Sequence, residues 1–425
     1  MSSSLKTEWI SEKKLYKERK SRMIHDPQKK VAKEIIQSFS HNDIVTLCAP
    51  PQWGKTGVSL FVSYIMAKKK GISPKNIFFI TGMSDRSWLQ QTKERVLPMW
   101  RNNVFHRNTL HRFGERINNL KRKNEDRDIL IIIDECHIAN KRDFTMGKIV
   151  DSVDINPEIL RKKNIKILQI SATPSNTLID AEKWPTHGKV CPRFNDNYVS
   201  FQTFLDEDRL RDPHNLMTIE GCENYFTEVC SGNPKFHFIR SLSSGPRGKD
   251  NYSLTKTCLQ NQCLKKGSQL VELNMTKTPG QIKKIFKSLD REPEKHTFIL
   301  IKNMLGASKT LSDRFIGSVH ESVPNKKDNS SEIQGLAGRM CGWTKRRGPE
   351  GPRIYCNKEI VENYLKLYDS GFDFHQEELL WKDSRLKVTE DGKIKSTESY
   401  ISRVKEEMNT EYSPMDTDGR ASTQI

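Results

Sequence analysis

Apolar residues in this chain gather into short unbroken runs, separated by longer stretches with amphipathic helical spacing. A brief aliphatic run without polar alternation marks a strand buried on both faces. Its regular alternation with helical stretches predicts a parallel sheet covered by helices on both sides. In the first half such strands are expected at residues 43–47, 76–80, 129–133 and 166–170. A second series begins near residue 235, with strands expected at 235–240, 269–273, 297–301 and 353–356. Residues 191–234 are weakly periodic and rich in turn formers, so they are expected to form a linker region. Residues 1–24 form a polar extension, and 376–425 read as a polar, disordered tail. The pattern is that of an α/β protein with lobes at 25–190 and 235–375.

Open parallel sheets bind ligands beyond the carboxyl ends of their strands, and the first series ends in loops of distinctive chemistry. Strand 43–47 runs into Cys48-Ala49-Pro50-Pro51-Gln52-Trp53-Gly54-Lys55-Thr56 and then, through Gly57, into a helical stretch. Strand, glycine-bearing loop and helix is the order a phosphate-binding loop requires. Gly54 lets the backbone turn closely around phosphates, and the amides at the helix start face them. Lys55 is expected to pair with the β and γ phosphates of ATP and the Thr56 hydroxyl to ligate Mg²⁺, with Gln52, Trp53 and Gly57 completing the site. Ala49 stands where the general pattern has its first glycine, and Pro50 and Pro51 carry no amide hydrogen. The cradle must therefore come from Gln52 onward.

The strand at 129–133 delivers Asp134-Glu135-Cys136-His137. Two acids at the end of a buried strand are costly without a partner, and a metal ion supplies one. Asp134 is expected to hold Mg²⁺ and Glu135 to orient and deprotonate the attacking water. Upstream, His25-Asp26-Pro27-Gln28 starts a helix, with Asp26 as N-cap and Pro27 at the first helical position.

Composition narrows the partners. The chain has 425 residues, enough for two or three domains, of which only 35% are apolar. Lysine and arginine number 71 against 53 acidic residues, a formal charge of +18 that predicts a polyanionic partner. The nine cysteines contain no Cys-x-x-Cys pair and do not resemble a disulfide framework. Cys222, Cys230, Cys258 and Cys263 have spacing that fits zinc poorly. Met1 to Lys14 are polar, unlike a secretory signal, and the apolar runs fall short of the roughly 18 residues a membrane span needs. The protein is thus expected to be intracellular, cytoplasmic or nuclear, with no membrane partner.

A phosphate loop followed by Asp134-Glu135-Cys136-His137 resembles the superfamily 2 DExH-box helicases and translocases, including compact viral and phage forms. The resemblance covers about residues 20–370 and implies two RecA-like lobes in tandem with ATP as substrate. It implies that Gln28 reads the adenine edge, that His137 links hydrolysis to the nucleic-acid side, and that Ser171, Ala172 and Thr173 couple hydrolysis to movement. Thr81, Gly82, Ser84, His106 and Arg107 take the place of the motifs that grip a strand by its phosphates. Arg240, Lys309 and Thr310 hold the corresponding places in the second lobe. Ser331-Glu332-Ile333-Gln334-Gly335-Leu336-Ala337-Gly338-Arg339 resembles the last helicase motif, with Gln334 at the nucleotide and Arg339 as the arginine finger, worth about 10³-fold in rate. The glutamine-to-arginine spacing departs from the common pattern by one residue. Gly342 stands where a second arginine is often found, which leaves Arg346 or Arg347 as alternatives. The expected partner is DNA or RNA, single-stranded or forked. Two other readings compete: the motor subunit of a restriction or packaging complex, and a nucleic-acid-binding protein whose ATPase parts are degenerate.

Overall fold

The computed structural model describes residues 24–84, 86–136, 138, 156–181, 184–194, 196–241, 250–274, 276–302, 311–321, 329–376, 381, 386–388 and 394–396. Two six-stranded sheets follow one another along the chain. The first is built from β1 (Ile44–Cys48), β2 (Ile77–Thr81), β3 (Val104–Phe105), β4 (Ile129–Asp134), β5 (Ile165–Ser171) and β6 (His187–Val190). Its spatial order is β3-β2-β4-β5-β1-β6, and every pairing is parallel. All five residues of β1 and of β2 are buried, as mostly apolar strands with helices over both faces are.

The second sheet contains β7 (Leu210–Arg211), β8 (Phe236–Arg240), β9 (Gln269–Leu273), β10 (Thr297–Ile301), β11 (Ile316–His320) and β12 (Arg353–Tyr355). The order is β7-β12-β11-β8-β10-β9, again wholly parallel. Strand order in the first sheet places β5 between β4 and β1. The three loops expected to carry chemistry therefore leave one sheet edge side by side. The register confirms their level, with Cys48 opposite Ser171 and Asp134 opposite Ile170.

Three departures from the sequence pattern stand out. Residues 191–234, expected as a linker region, supply the edge strand β7 and the helix Ile219–Val229 to the second lobe. That helix buries Cys222, Tyr225, Phe226 and Val229 against Ile239, Phe298 and Tyr355. A two-residue strand is too short to show alternation, which hid it. β11 was also hidden, because Gly317, Ser318 and His320 break its apolar run although Ser318 and His320 are buried. Finally, the region expected as a tail contains Trp381, which is buried and donates its indole N–H to Ser175 Oγ at 3.0 Å. It also contains an antiparallel hairpin of β13 (Leu386–Val388) and β14 (Ile394–Ser396). Among the described residues no helix is long and apolar enough to cross a membrane.

The two lobes share an apolar core. Trp53, Tyr198, Val199, Phe201, Met340 and Tyr364 belong to one contiguous buried cluster that joins the phosphate loop, the connecting segment and the second lobe.

Candidate nucleotide site between the lobes

Strand β1 feeds the phosphate loop, and the helix Lys55–Lys69 leaves it. Gly54 sits at φ 98° as the residue that starts this helix. A Cβ there would lie 1.9 Å from Gln28 Nε2, so both the backbone angle and the packing demand glycine. The Gln28 amide reaches this loop from the helix Asp26–Ser38 and donates to Gly54 O at 3.1 Å. Its other end accepts from His25 N at 2.8 Å. His25 is the N-cap, one residue before the Asp26 expected from the sequence, because Gln28 at the third helical position reaches back to it.

A cleft of about 320 Å³ opens where this loop meets the second lobe. That volume lies within the range of small-molecule sites, about 300–1,000 Å³. The cleft is lined by Gln28, Gln52, Gly54, Lys55, Thr56 and Gly57 from the first helix and loop, by Asp134, Glu135 and Ala172 from neighbouring strand ends, and by Gln334 and Arg339 from the second lobe. Lys55, Arg95, Arg339 and Lys345 bring four cations to it beside the two carboxylates. This imbalance suits a polyanionic ligand. Lys55 donates to Ala49 O at 3.3 Å and to Pro50 O at 3.2 Å. Burial holds the Lys345 ammonium below the usual lysine range, with Asp313 working the other way.

The acid pair is held from several sides. Asp134 Oδ2 accepts the Trp88 indole N–H at 2.8 Å, and Oδ1 accepts from Glu135 N at 3.1 Å. Thr81 Oγ1 donates to the Asp134 carbonyl at 2.9 Å, which ties the end of β2 to the end of β4. Glu135 is buried at 6% exposure and adopts φ 51°, a left-handed conformation that non-glycine residues keep only where the surroundings enforce it.

The triplet Ser171-Ala172-Thr173, which begins on the last residue of β5, is wholly buried at the lobe boundary. Ser171 Oγ accepts from Thr173 N at 3.0 Å. Gln334 Nε2 donates to Thr173 Oγ1 at 2.5 Å, and the Tyr364 hydroxyl donates to Ala172 O at 3.3 Å, so both partners come from the second lobe. Arg339 ends the short helix Leu336–Arg339 and is 1% exposed. Backbone proximity brings this helix against the phosphate loop: a Cβ on Gly338 would be 3.0 Å from Pro51 Cβ. Arg346 is committed elsewhere, with its backbone N–H on Asp313 Oδ2 at 2.8 Å and its guanidinium on Ile316 O at 2.6 Å. Arg347 donates to Asp196 O and Tyr198 O. Neither lines the cleft, and Arg339 does.

The residues expected to grip nucleic acid are scattered in exposure. Ser84 and Arg107 are exposed, whereas Thr81, Gly82 and His106 are buried. His106 Nδ1 bonds Thr109 Oγ1 at 3.0 Å. Arg240, at the end of β8, pairs with Glu321 at 3.4 Å, and Glu321 accepts the Leu336 and Ala337 amides that open the Arg339 helix. His137, Lys309 and Thr310 lie outside the described residues.

Several lining residues carried no motif: Arg95, Thr92, Leu60, Trp343 and Lys345. Arg95 Nη1 donates to Thr56 Oγ1 at 3.4 Å, beside the proposed metal position. The signal for Thr92 and Arg95 in the sequence was that helix 86–95 directly follows β2 and so returns across the same sheet edge. Among the described residues no group of three or more His, Cys, Asp or Glu would hold a metal by protein ligands alone. The hard oxygens of Thr56 and Asp134 at one cleft nevertheless suit Mg²⁺, which is commonly bound by one or two protein oxygens, substrate phosphates and water.

No family model matches the chain, and no curated protein matches it. Among solved structures, the ATP-dependent Type ISP restriction-modification enzyme LlaBIII bound to DNA is similar at TM-score 0.52 and 14% identity. That match covers 82% of this chain and 30% of that one. S. cerevisiae Dbp5 bound to RNA and ADP BeF3 is similar at TM-score 0.45 and 12% identity, over 82% of this chain and 88% of that chain. The DEAD-box helicase Mss116 bound to ssRNA and UDP-BeF is similar at 0.45 and 15%, over 87% and 76%. The architecture is two RecA-like lobes in tandem.

Proposed function

We propose that this chain is an ATP-dependent nucleic-acid helicase or translocase of the superfamily 2 DExH type, coupling Mg-ATP hydrolysis to movement along DNA or RNA. The observation that carries this reading is the single cleft that gathers Lys55, Asp134 and Glu135 from the first lobe with Gln334 and Arg339 from the second. In it Lys55 binds the β and γ phosphates and Arg339 binds the γ phosphate from the opposite side. Glu135, at the end of its buried strand, orients the attacking water and takes its proton. Thr56 and Asp134 hold Mg²⁺, which when bound neutralises charge on the phosphates. Gln28, already engaged with the loop through Gly54 O, reads the base. The bonds from Gln334 to Thr173 and from Tyr364 to Ala172 let the Ser171-Ala172-Thr173 triplet register closure. A net charge of +18 and the exposed Ser84 and Arg107 favour a nucleic-acid backbone as the track.

A second reading, the motor part of a larger restriction or packaging machine, is favoured by the likeness to a DNA-bound restriction-modification enzyme of which this chain spans 30%. One set of assays tests both. ATP hydrolysis should rise on adding single-stranded DNA or RNA, and Lys55→Ala should abolish it while leaving salt-sensitive nucleic-acid binding intact. Hydrolysis by Lys55→Ala at the wild-type rate would refute the site assignment. Forked duplexes of DNA and RNA with either overhang then separate unwinding from tracking.

A further inference from the structure

We propose that Tyr198 and Trp343, both outside the first lobe, are positioning residues that fix the shape of the phosphate loop for its nucleotide. The inference rests on the ATP-binding reading above and deepens it. A phosphate loop turns backbone amides toward the anion, so its carbonyls need other donors to hold the turn in place. Those donors can be followed along the loop. Ala49 and Pro50 receive Lys55 Nζ. Pro51 receives the Tyr198 hydroxyl, Trp53 the Trp343 indole N–H at 2.6 Å, and Gly54 the Gln28 amide at 3.1 Å. Two of the four donor side chains thus come from the connecting segment and the second lobe, 147 and 290 residues away along the sequence.

This loop needs such help more than a glycine-rich one does. Ala49 replaces the first glycine, and Pro50 and Pro51 contribute no amide. The cradle therefore rests on the segment from Gln52 to the helix start, where Gln52 at φ 60° and Gly54 at φ 98° reverse the chain. A left-handed glutamine persists only where its neighbours hold it.

Tyr198 and Trp343 act as one fixture. Val199 and Gly342 exchange both backbone hydrogen bonds, at 3.0 and 2.9 Å, in an isolated antiparallel bridge. The bridge sets the preceding tyrosine and the following tryptophan side by side, with ring centroids 5.5 Å apart. Trp343 also meets Trp53 edge to face at 5.7 Å. Burial keeps the Tyr198 phenol protonated and hence a donor. Because the fixture belongs to the second lobe and its connection, the affinity of the loop for phosphate depends on where that lobe sits.

Tyr198→Phe and Trp343→Phe each keep an aromatic ring and remove one donor. In the full-length protein we expect each change to weaken binding of a fluorescent ADP analogue, and to raise the KM for ATP, by roughly 2- to 12-fold. Nucleic-acid binding without nucleotide should not change. A role in packing alone would lower the thermal midpoint and leave nucleotide affinity untouched, and that result would overturn the proposal. Affinity and KM within twofold of wild type in both variants and in the double variant would also overturn it. Wild-type protein that binds no ADP, and so matches Lys55→Ala, would instead refute the ATP-binding reading and the present inference with it.

Discussion

Gly57 offers a test in which the sign of one substitution depends on one neighbour. It lies in the first turn of the helix Lys55–Lys69, where alanine ordinarily stabilises by about 0.5–1 kcal/mol. Here a Cβ would lie 2.6 Å from Gln28 Oε1 and 2.8 Å from its Cδ, so the amide must move. Moving it breaks two hydrogen bonds, to His25 N and to Gly54 O, at about 0.5–1.5 kcal/mol each. Gly57→Ala should therefore destabilise the protein by about 1 kcal/mol. In a Gln28→Ala background the obstruction is gone, and the same change should stabilise by about 0.5–1 kcal/mol. The coupling is roughly 2 kcal/mol, large for a pair of neighbours but within the usual range. Thermal unfolding would show it, since 1 kcal/mol shifts the midpoint of a unit of 150–250 residues by about 2–4 °C. If Gly57→Ala moves the midpoint the same way with and without Gln28→Ala, the placement of the Gln28 side chain against the phosphate loop is wrong.

Two further outcomes follow from the same geometry. Trp88→Phe removes the indole donor from Asp134 Oδ2 and should raise the Mg²⁺ concentration for half-maximal ATP hydrolysis by about 10-fold, as read from a metal titration of the rate. Acid should weaken the second lobe, because His237 and His320 are 0% and 1% exposed and burial holds His320 at about 3 and His237 well below the usual imidazole range. Below about pH 6.5 the unfolded chain binds protons these histidines refuse, so stability present above that pH is lost as it falls, by roughly 1.4 kcal/mol per pH unit for each. Urea midpoints between pH 7 and 5 should decline accordingly, and His320→Phe should lessen the decline; an unchanged slope would contradict neutral burial.

The strands that position the nucleotide site were legible because they are central. β1, β2, β4 and β5 lie inside the sheet, and burial on both faces writes itself into the sequence as short, mostly apolar runs. The missed strands obey other physics. β6 reads His187-Gly188-Lys189-Val190 because it is an edge, and β7 is two residues long. β11 is central, but its Ser318 hydroxyl bonds Tyr225 at 2.7 Å and His237 at 2.8 Å. A polar residue whose partners lie some 80 residues away or more looks, in the sequence, like a surface residue. The site followed the same division. Lys55 and Asp134 were legible as candidates because they lie next to a strand end, and Arg339 because its motif resembles a helicase one. Tyr198, Trp343 and Arg95 were not, since what matters about them is the distant backbone or hydroxyl each one meets. One clue was available: Pro50 and Pro51 announced a loop short of amides.

The indole that meets Trp53 O has a consequence for biosynthesis. Trp343 lies 290 residues beyond Trp53, so at about 5–20 residues per second it leaves the ribosome roughly 15–60 s after the loop it supports. During that interval the nascent first lobe displays Lys55 and its acid pair without the contacts that finish the cavity. On the proposed reading, a growing polypeptide would hold nucleoside triphosphate poorly until Trp343 has been translated, which would guard a half-made motor against idle turnover.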